Sequence, residues 1–181
     1  MGDLTLKGVN MERNTVISQA LNWLGKNEKD SSFKEIIDIY NSNKPLPRGY
    51  KVKYTDSWCA VFVSALAVKC GITEKIPVEC SCGRMIEKAM AKGIWVEGDG
   101  YIPKAADIIL YDWNDSGKGD NKGWPEHVGI VEKTENDLIT VIEGNLNNKV
   151  ARREIKVNAR YIRGYICPEY TDAVSVKKEY Y

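Results

Sequence analysis

His127 is the one histidine in 181 residues, so any imidazole chemistry runs through it and a site built from several histidines is excluded. Five cysteines could supply a nucleophile for it. A thiol attacks as its thiolate, and the first turn of a helix favours that form because free backbone N–H groups point at the sulfur. Cys59 opens the run SWCAVFVSALAVKCG, apolar on nearly every side. That run predicts a buried helix, with Asp56 or Ser57 as N-cap and Gly71 just past its end. The other thiols are worse placed: Cys70 is at the electronegative end of the same helix, Cys82 can open a helix but has no base nearby in sequence, and Cys167 closes the last strand before Pro168. A small buried core residue is the plain alternative for Cys59.

His127 begins HVGIVE, and the hairpin returns through ITVIEGN. If the connection around Thr134 to Asp137 sets His127 opposite Glu143, Asn145 is the diagonal neighbour on the same face, and imidazole, carboxylate and amide come together. An even-length turn would put them on opposite faces, so this reading demands an odd connection or a bulge. The alternative is a strand-end histidine and a solvated edge carboxylate. In that case the orienting residue comes from elsewhere, with Asp107 or Asp112 next in line.

Tyr54, Trp58, Trp113 and Trp124 flank these residues in sequence and suit a groove for sugar and peptide, although large aromatics are more often packing residues than contact residues. The tract DWNDSGKGDNKG carries Asp112, Asn114, Asp115 and Asp120, oxygen ligands that could hold calcium. It departs from the EF-hand spacing and lacks the terminal bidentate Glu, so a cleft-lining loop is the reading taken. Cys80-Ser81-Cys82 has no partner pair with metal-ligand spacing and reads as an entry into a helix capped by Ser81.

The elements that must position these residues divide the chain. Helices are expected over Met11 to Leu24 with Asn10 as N-cap, from Ser31 or Ser32 through Tyr40, from the Cys59 region to Cys70, and over Cys82 to Ala91. From Ala106 the apolar period falls to two, giving strands at Asp107 to Tyr111, His127 to Lys133, Leu138 to Glu143, Val150 to Lys156 and Tyr161 to Cys167. Helices first and an antiparallel sheet second is an α+β layout. One domain over residues 1–170 and a tail or linker stub over 171–181 is the expected organisation.

Lys and Arg total 26 against 25 Asp and Glu, a net charge of +1, so no steering toward nucleic acid or anionic lipid is built in. A 43% apolar composition suits a chain that buries roughly 70% of its unfolded surface. The longest apolar run is about half the ~20 residues of a membrane span, and the N-terminus has no apolar h-region. An odd cysteine count without an export signal argues for reduced thiols.

Four stretches, YTDSWCAVFVSALAVKCGI, PKAADIILYDW, PEHVGIVEK and TVIEGN, in this order and at these spacings, resemble the CHAP family of cysteine- and histidine-dependent amidohydrolases and peptidases, within the papain-like NlpC-type group. The resemblance covers about residues 12 to 168 and is closest to lysins of phages and prophages of low-GC Gram-positive bacteria. It implies a papain-like fold, Cys59 as nucleophile, His127 as base, and Glu143 with Asn145 as its orienting residues. It further implies cleavage of an amide bond in peptidoglycan, either between muramic acid and L-alanine or within the stem peptide and cross-bridge, without a cofactor, although some members of the family bind calcium. The expected partner is bacterial peptidoglycan, not nucleic acid or membrane, and the expected state a monomer. Such a protein would be made in the bacterial cytoplasm and act at the wall after release. The competing functions are an acyl transferase or transpeptidase that resolves the same thioester with an amine, and a non-catalytic wall-binding module.

Overall fold

The N-terminal half is helical because its apolar residues recur every three or four positions, and the C-terminal half is sheet because they alternate. The computed structural model describes residues 11–98 and 100–171. Its helices are α1 (Met11–Asn22), α2 (Lys34–Ser42), α3 (Cys59–Cys70) and α4 (Cys82–Ala91). They precede strands β1 (Trp95–Glu97), β2 (Ile108–Tyr111), β3 (His127–Glu135), β4 (Leu138–Leu146), β5 (Lys149–Lys156) and β6 (Ile162–Ile166). The strands form one antiparallel sheet in the order β1-β6-β2-β3-β4-β5. The expected α+β, papain-like class is what the chain adopts. β1, a three-residue edge strand, is too short to show an alternation and is absent from the sequence reading. Asn10 and residues 172–181 of the expected tail lie outside the described residues.

α3 is the central helix: Cys59 to Ala67 are all buried. It packs on β3 and β4, and Gly144 of β4 permits the close approach, since a Cβ there would run into the Phe62 ring and Trp58. Trp58 packs against Phe33, and Trp23 against Phe62, on the same side. The sheet face under the helices carries Ile108, Leu110, Val128, Ile130 and Ile142. The opposite face carries a smaller core of Ile109, Tyr111, Val131, Val141 and Tyr165.

Several local expectations change. Leu21, placed by spacing on the apolar stripe of α1, is exposed. α2 begins at Lys34 because a turn precedes it, in which the Ser32 N–H donates to Asp30 and Ser32 Oγ accepts from the Asn27 N–H, both at 2.9 Å. Neither Asp56 nor Ser57 caps α3. The N-cap is Trp58, with no side-chain cap, because the Asp56 carboxylate accepts from the Lys53 N–H and the Tyr50 hydroxyl, each at 2.8 Å, and closes the preceding loop. α4 does begin at Cys82, with Ser81 Oγ accepting from the Arg84 N–H at 3.5 Å. Among the described residues no helix is long and apolar enough to cross a membrane.

The β3–β4 hairpin sets the geometry of the site. Asn136 and Asp137, both at positive φ, make a two-residue turn that pairs Glu135 with Leu138. Continued to the far end of the hairpin, that register would put His127 and Glu143 on opposite faces. A bulge at Glu132 changes the parity: beyond it Val131 pairs with Val141 and Ile130 with Ile142. Continued by one position, that register sets Gly129, rather than His127, against Glu143. The direct His127–Glu143 pairing expected from the sequence is therefore replaced by a diagonal one on the same face.

Candidate active site

His127 is the first residue of β3 and shares its sheet face with Tyr111, whose ring stacks on the imidazole at 5.9 Å. Its Nε2 lies 2.9 Å from Oε2 of Glu143. Glu143 spans the diagonal because Gly129 stands between them. A Cβ on Gly129 would come within 2.7 Å of Glu143 Cγ and 2.5 Å of Val141 Cγ1. The other carboxylate oxygen accepts from Arg153 Nε at 2.8 Å, so a fully buried charge has a partner on each oxygen. Burial pulls the Glu143 pKa up, and the hydrogen bonds and charges of His127 and Arg153 outweigh it, leaving the carboxyl below its ordinary value.

With Nε2 committed to Glu143, Nδ1 is the imidazole nitrogen left for Cys59, whose thiol is within interacting reach of the ring. Cys59 opens α3, whose first turn no side chain caps. Its Sγ lies 3.8 Å from Ser57 Oγ and 3.8 Å from Cys82 Sγ. Donation from Cys82, followed by the interaction with His127, holds the Cys59 pKa well below that of an ordinary thiol despite burial. Burial alone would lower the His127 pKa. Hydrogen bonds to Cys59 and Glu143, and their negative charge, raise it to about 9. Both shifts favour the thiolate–imidazolium form of the pair.

Asn145 does not orient the imidazole. The bulge between Glu143 and Leu146 and a φ of 58° turn it aside, and its Nδ2 donates to Ser57 Oγ at 3.4 Å, next to the nucleophile's own turn. Asp107, the reserve candidate, is occupied by Arg13, Tyr101 and the Lys104 N–H. Asp112, the other reserve, is bonded instead to the Asn114 N–H.

Of the aromatics, Trp58 is no groove residue: it is fully buried, packs on Phe33 and donates its Nε1–H to Glu28 at 2.9 Å. Trp113 stacks on Tyr111 with ring centroids 4.7 Å apart and stands 6.3 Å from the His127 ring. Trp124, 61% exposed, lies over Gly83 in the first turn of α4. Tyr54 is exposed and donates to Asp38 at 2.7 Å. The four oxygen ligands of the acidic tract do not converge. Asp112 is engaged by Asn114, whose side-chain amide donates to Glu126, Asp115 by Arg160, and Asp120 by Lys122. Among the described residues no group of three or more His, Cys, Asp or Glu is placed to hold a metal.

Two residues of the site escape a reading by spacing. Arg153 could have been suspected, because a carboxylate at an inward position of an apolar strand requires a cation beside it. Cys82 could not, since only the packing of α4 against the start of α3 brings its sulfur to Cys59.

None of the curated proteins compared matches the chain. Among solved structures, that of Ly7917 is 17% identical with a TM-score of 0.50, the match covering 86% of this chain and 62% of that one. A second structure, of Ly7917 with the hydrolyzing product of MDP, is 15% identical with a TM-score of 0.43 over 86% and 62% of the two chains. An NlpC/P60 family protein from Bacillus cereus ATCC 10987 is 13% identical with a TM-score of 0.48, over 85% of this chain and 39% of the other. The chain thus spans less than two thirds of the length of these proteins. The CHAP domain profile matches residues 49–145, a span that runs from the loop before Cys59 through β2, the His127 strand and Glu143 to Asn145. More than half of the sequence lies within that match, and the chain belongs to the CHAP domain family, whose members are cysteine peptidases and amidases acting on peptidoglycan.

Proposed function

We propose that this chain is a peptidoglycan hydrolase that cleaves an amide bond, muramoyl-L-alanine or within the stem peptide and cross-bridge, through a thioester on Cys59. The observation that carries the reading is the Cys59–His127 pair at the start of α3. A thiolate with a depressed pKa lies beside an imidazole whose far nitrogen is held at 2.9 Å by a buried, Arg153-paired carboxylate. A structural cysteine or a binding module needs none of this.

In the proposed reaction Cys59 Sγ attacks the scissile carbonyl carbon, and the N–H groups of the uncapped first turn of α3 face the developing oxyanion. The C–N bond breaks as the His127 imidazolium gives its proton to the leaving amine. Water then attacks the thioester, loses a proton to His127, and releases the acid and the Cys59 thiolate. Glu143 holds the imidazole by Nε2 and balances its charge, and Asn145 fixes Ser57 beside the thiol. Every proton and electron pair is carried by Cys59, His127 and water, so no cofactor has a part. Trp113, 6.3 Å from the His127 ring, and Trp124, over the first turn of α4, offer exposed rings for sugar or peptide, as does the exposed Tyr54. The wall of a Gram-positive bacterium, the proposed substrate, would be lysed.

Mass spectrometry of peptidoglycan fragments released by the wild-type chain and by Cys59→Ala tests the reading. New amine and carboxyl ends at one type of amide bond, absent with the variant, are expected. Equal release of the same fragments by Cys59→Ala would overturn it.

A further inference from the structure

Cys82 has no bond to make or break in the reaction above, yet among the described residues it is the sulfur in contact with Cys59: the two Sγ atoms are 3.8 Å apart. Both are buried, and each opens a helix, α3 or α4, so their side chains converge from two rigid elements. Forming a disulfide of about 2.05 Å from this separation requires the sulfurs to close by about 1.8 Å, a movement of side chains already in contact. Cys80, two residues earlier, is held elsewhere: its Sγ accepts from Arg48 at 3.4 Å and its thiol donates to Glu79 at 3.6 Å.

The two thiols also differ in the way that such chemistry needs. The hydrogen bond from Cys82 and then the interaction with His127 hold the Cys59 pKa low, whereas the same hydrogen bond, burial and the charge of Cys59 push the Cys82 pKa well above the ordinary thiol value. One sulfur is set up to be oxidised and the other remains a thiol able to condense with the product.

We propose that Cys59 and Cys82 form a reversible oxidation site, in which a hydroperoxide converts the Cys59 thiolate to a sulfenic acid and Cys82 captures it as a disulfide. In the first step the thiolate sulfur attacks the hydroxyl oxygen of the peroxide, the S–O bond forms, and the O–O bond breaks with its electron pair leaving on an alkoxide or hydroxide. In the second, Cys82 Sγ attacks the Cys59 sulfur, the S–O bond breaks, and the Cys82 proton and the hydroxyl depart as water. Two equivalents of a small thiol return both cysteines to the reduced form. The disulfide blocks the nucleophile and shields it from irreversible oxidation. The inference rests on Cys59 being the ionised thiol of the proposed function, and not on which bond is cut.

The test exposes the reduced full chain to hydrogen peroxide, digests it without reduction and maps its peptides by mass. A Cys59–Cys82 linked peptide, lighter by two hydrogens than its parts, is expected. Cleavage of peptidoglycan should fall roughly tenfold or more and return with dithiothreitol. In Cys82→Ser and Cys82→Ala the link cannot form, dimedone should trap Cys59 as sulfenic acid, and prolonged exposure should give a sulfinic acid that dithiothreitol does not reverse. Over-oxidation of Cys59 in the wild-type chain at the rate seen in these variants, or a link from Cys59 to Cys80, overturns the proposal. The linked peptide is read without any variant or activity. If it forms in a chain that releases no peptidoglycan fragments, the proposed function fails and the oxidation site stands; fragments without the link mean the reverse.

Discussion

Two helices of this chain begin with a cysteine, and their sulfurs touch, yet the two thiols are driven in opposite directions. α4 starts in the usual way: Ser81 caps it and uses one of the free N–H groups of the first turn. α3 starts on Trp58, which offers no side-chain oxygen, so the electropositive end of the helix stays open to an anion. Of the two thiols, Cys59 is the one that His127 acts on. A helix start is therefore not enough to make a nucleophile. An uncapped turn and a fixed base, together, distinguish Cys59 from a neighbour 3.8 Å away.

The largest expected effect removes the favoured thiol. Cys59→Ala should reduce turnover by roughly 10⁴-fold or more with the fold retained, since it deletes the nucleophile and little volume. If Cys82 could take over, residual activity in Cys59→Ala would vanish in the double variant. No such step is expected, because Cys82 lacks the base. Fragment release by both variants, measured against wild type, decides the point.

The base side of the comparison comes next. Glu143→Gln keeps the shape of the side chain but removes the charge that balances imidazolium, and should cost roughly 10²–10⁴-fold in turnover. Arg153→Ala should cost less, because Glu143 keeps its bond to His127, and Arg153→Lys should recover part of the loss. The orienting role of Glu143 would be excluded by a Glu143→Gln enzyme with wild-type kcat and an unchanged pH profile.

Much of this site was open to the sequence, and its limits are instructive. A single histidine at the start of an alternating run, with a carboxylate in the returning strand, is enough to suggest the pair. The face they share depends on the bulge at Glu132, which no residue type announces, and the contact between them depends on Gly129 having no side chain. The helix limits at Gly71 and Ser81 follow from backbone and capping preferences that act locally, whereas α1 ends at Asn22, short of the stop at Gly25 that the spacing predicts. The burial of Trp58, the turning of Asn145 away from the imidazole and the contact of Cys82 with Cys59 are not legible in the sequence, for the opposite reason. The first is placed by Phe33, the second by a bulge, and the third by the packing of α4, all of them tertiary.

The pH dependence sharpens the contrast between the two thiols. Cys59 is ionised above its depressed pKa, and His127 stays protonated until its raised value of about 9. The thiolate–imidazolium pair exists between the two, so cleavage should rise on an acid limb set by Cys59 and fall on an alkaline limb near pH 9. Iodoacetamide should label Cys59 at neutral pH before the other four thiols. In Cys82→Ala the acid limb should move to higher pH, because a donor to the thiolate is gone. An unmoved limb would show that the helix start and His127 suffice by themselves.

The smallest effect tests the cap itself. Ser81→Ala removes the one side-chain bond to the first turn of α4, from the Arg84 N–H. Loss of an N-cap costs about 0.5–2 kcal/mol, and the 3.5 Å separation places this one at the low end, so a drop in Tm of a few degrees is expected by calorimetry. With the cap removed, α4 presents an open N-terminus to Cys82 much as α3 does to Cys59, while the imidazole remains where it was. If the cap is what separates the two thiols, Cys82 should gain reactivity toward iodoacetamide at neutral pH. If the base separates them, Cys82 should stay slow, Cys59 should keep its rate, and only the stability of α4 should change. The second outcome is the expected one. A helix terminus is worth about 0.3–1 kcal/mol to a nearby charge, whereas the ionised Cys59 next to it disfavours a second thiolate at contact distance.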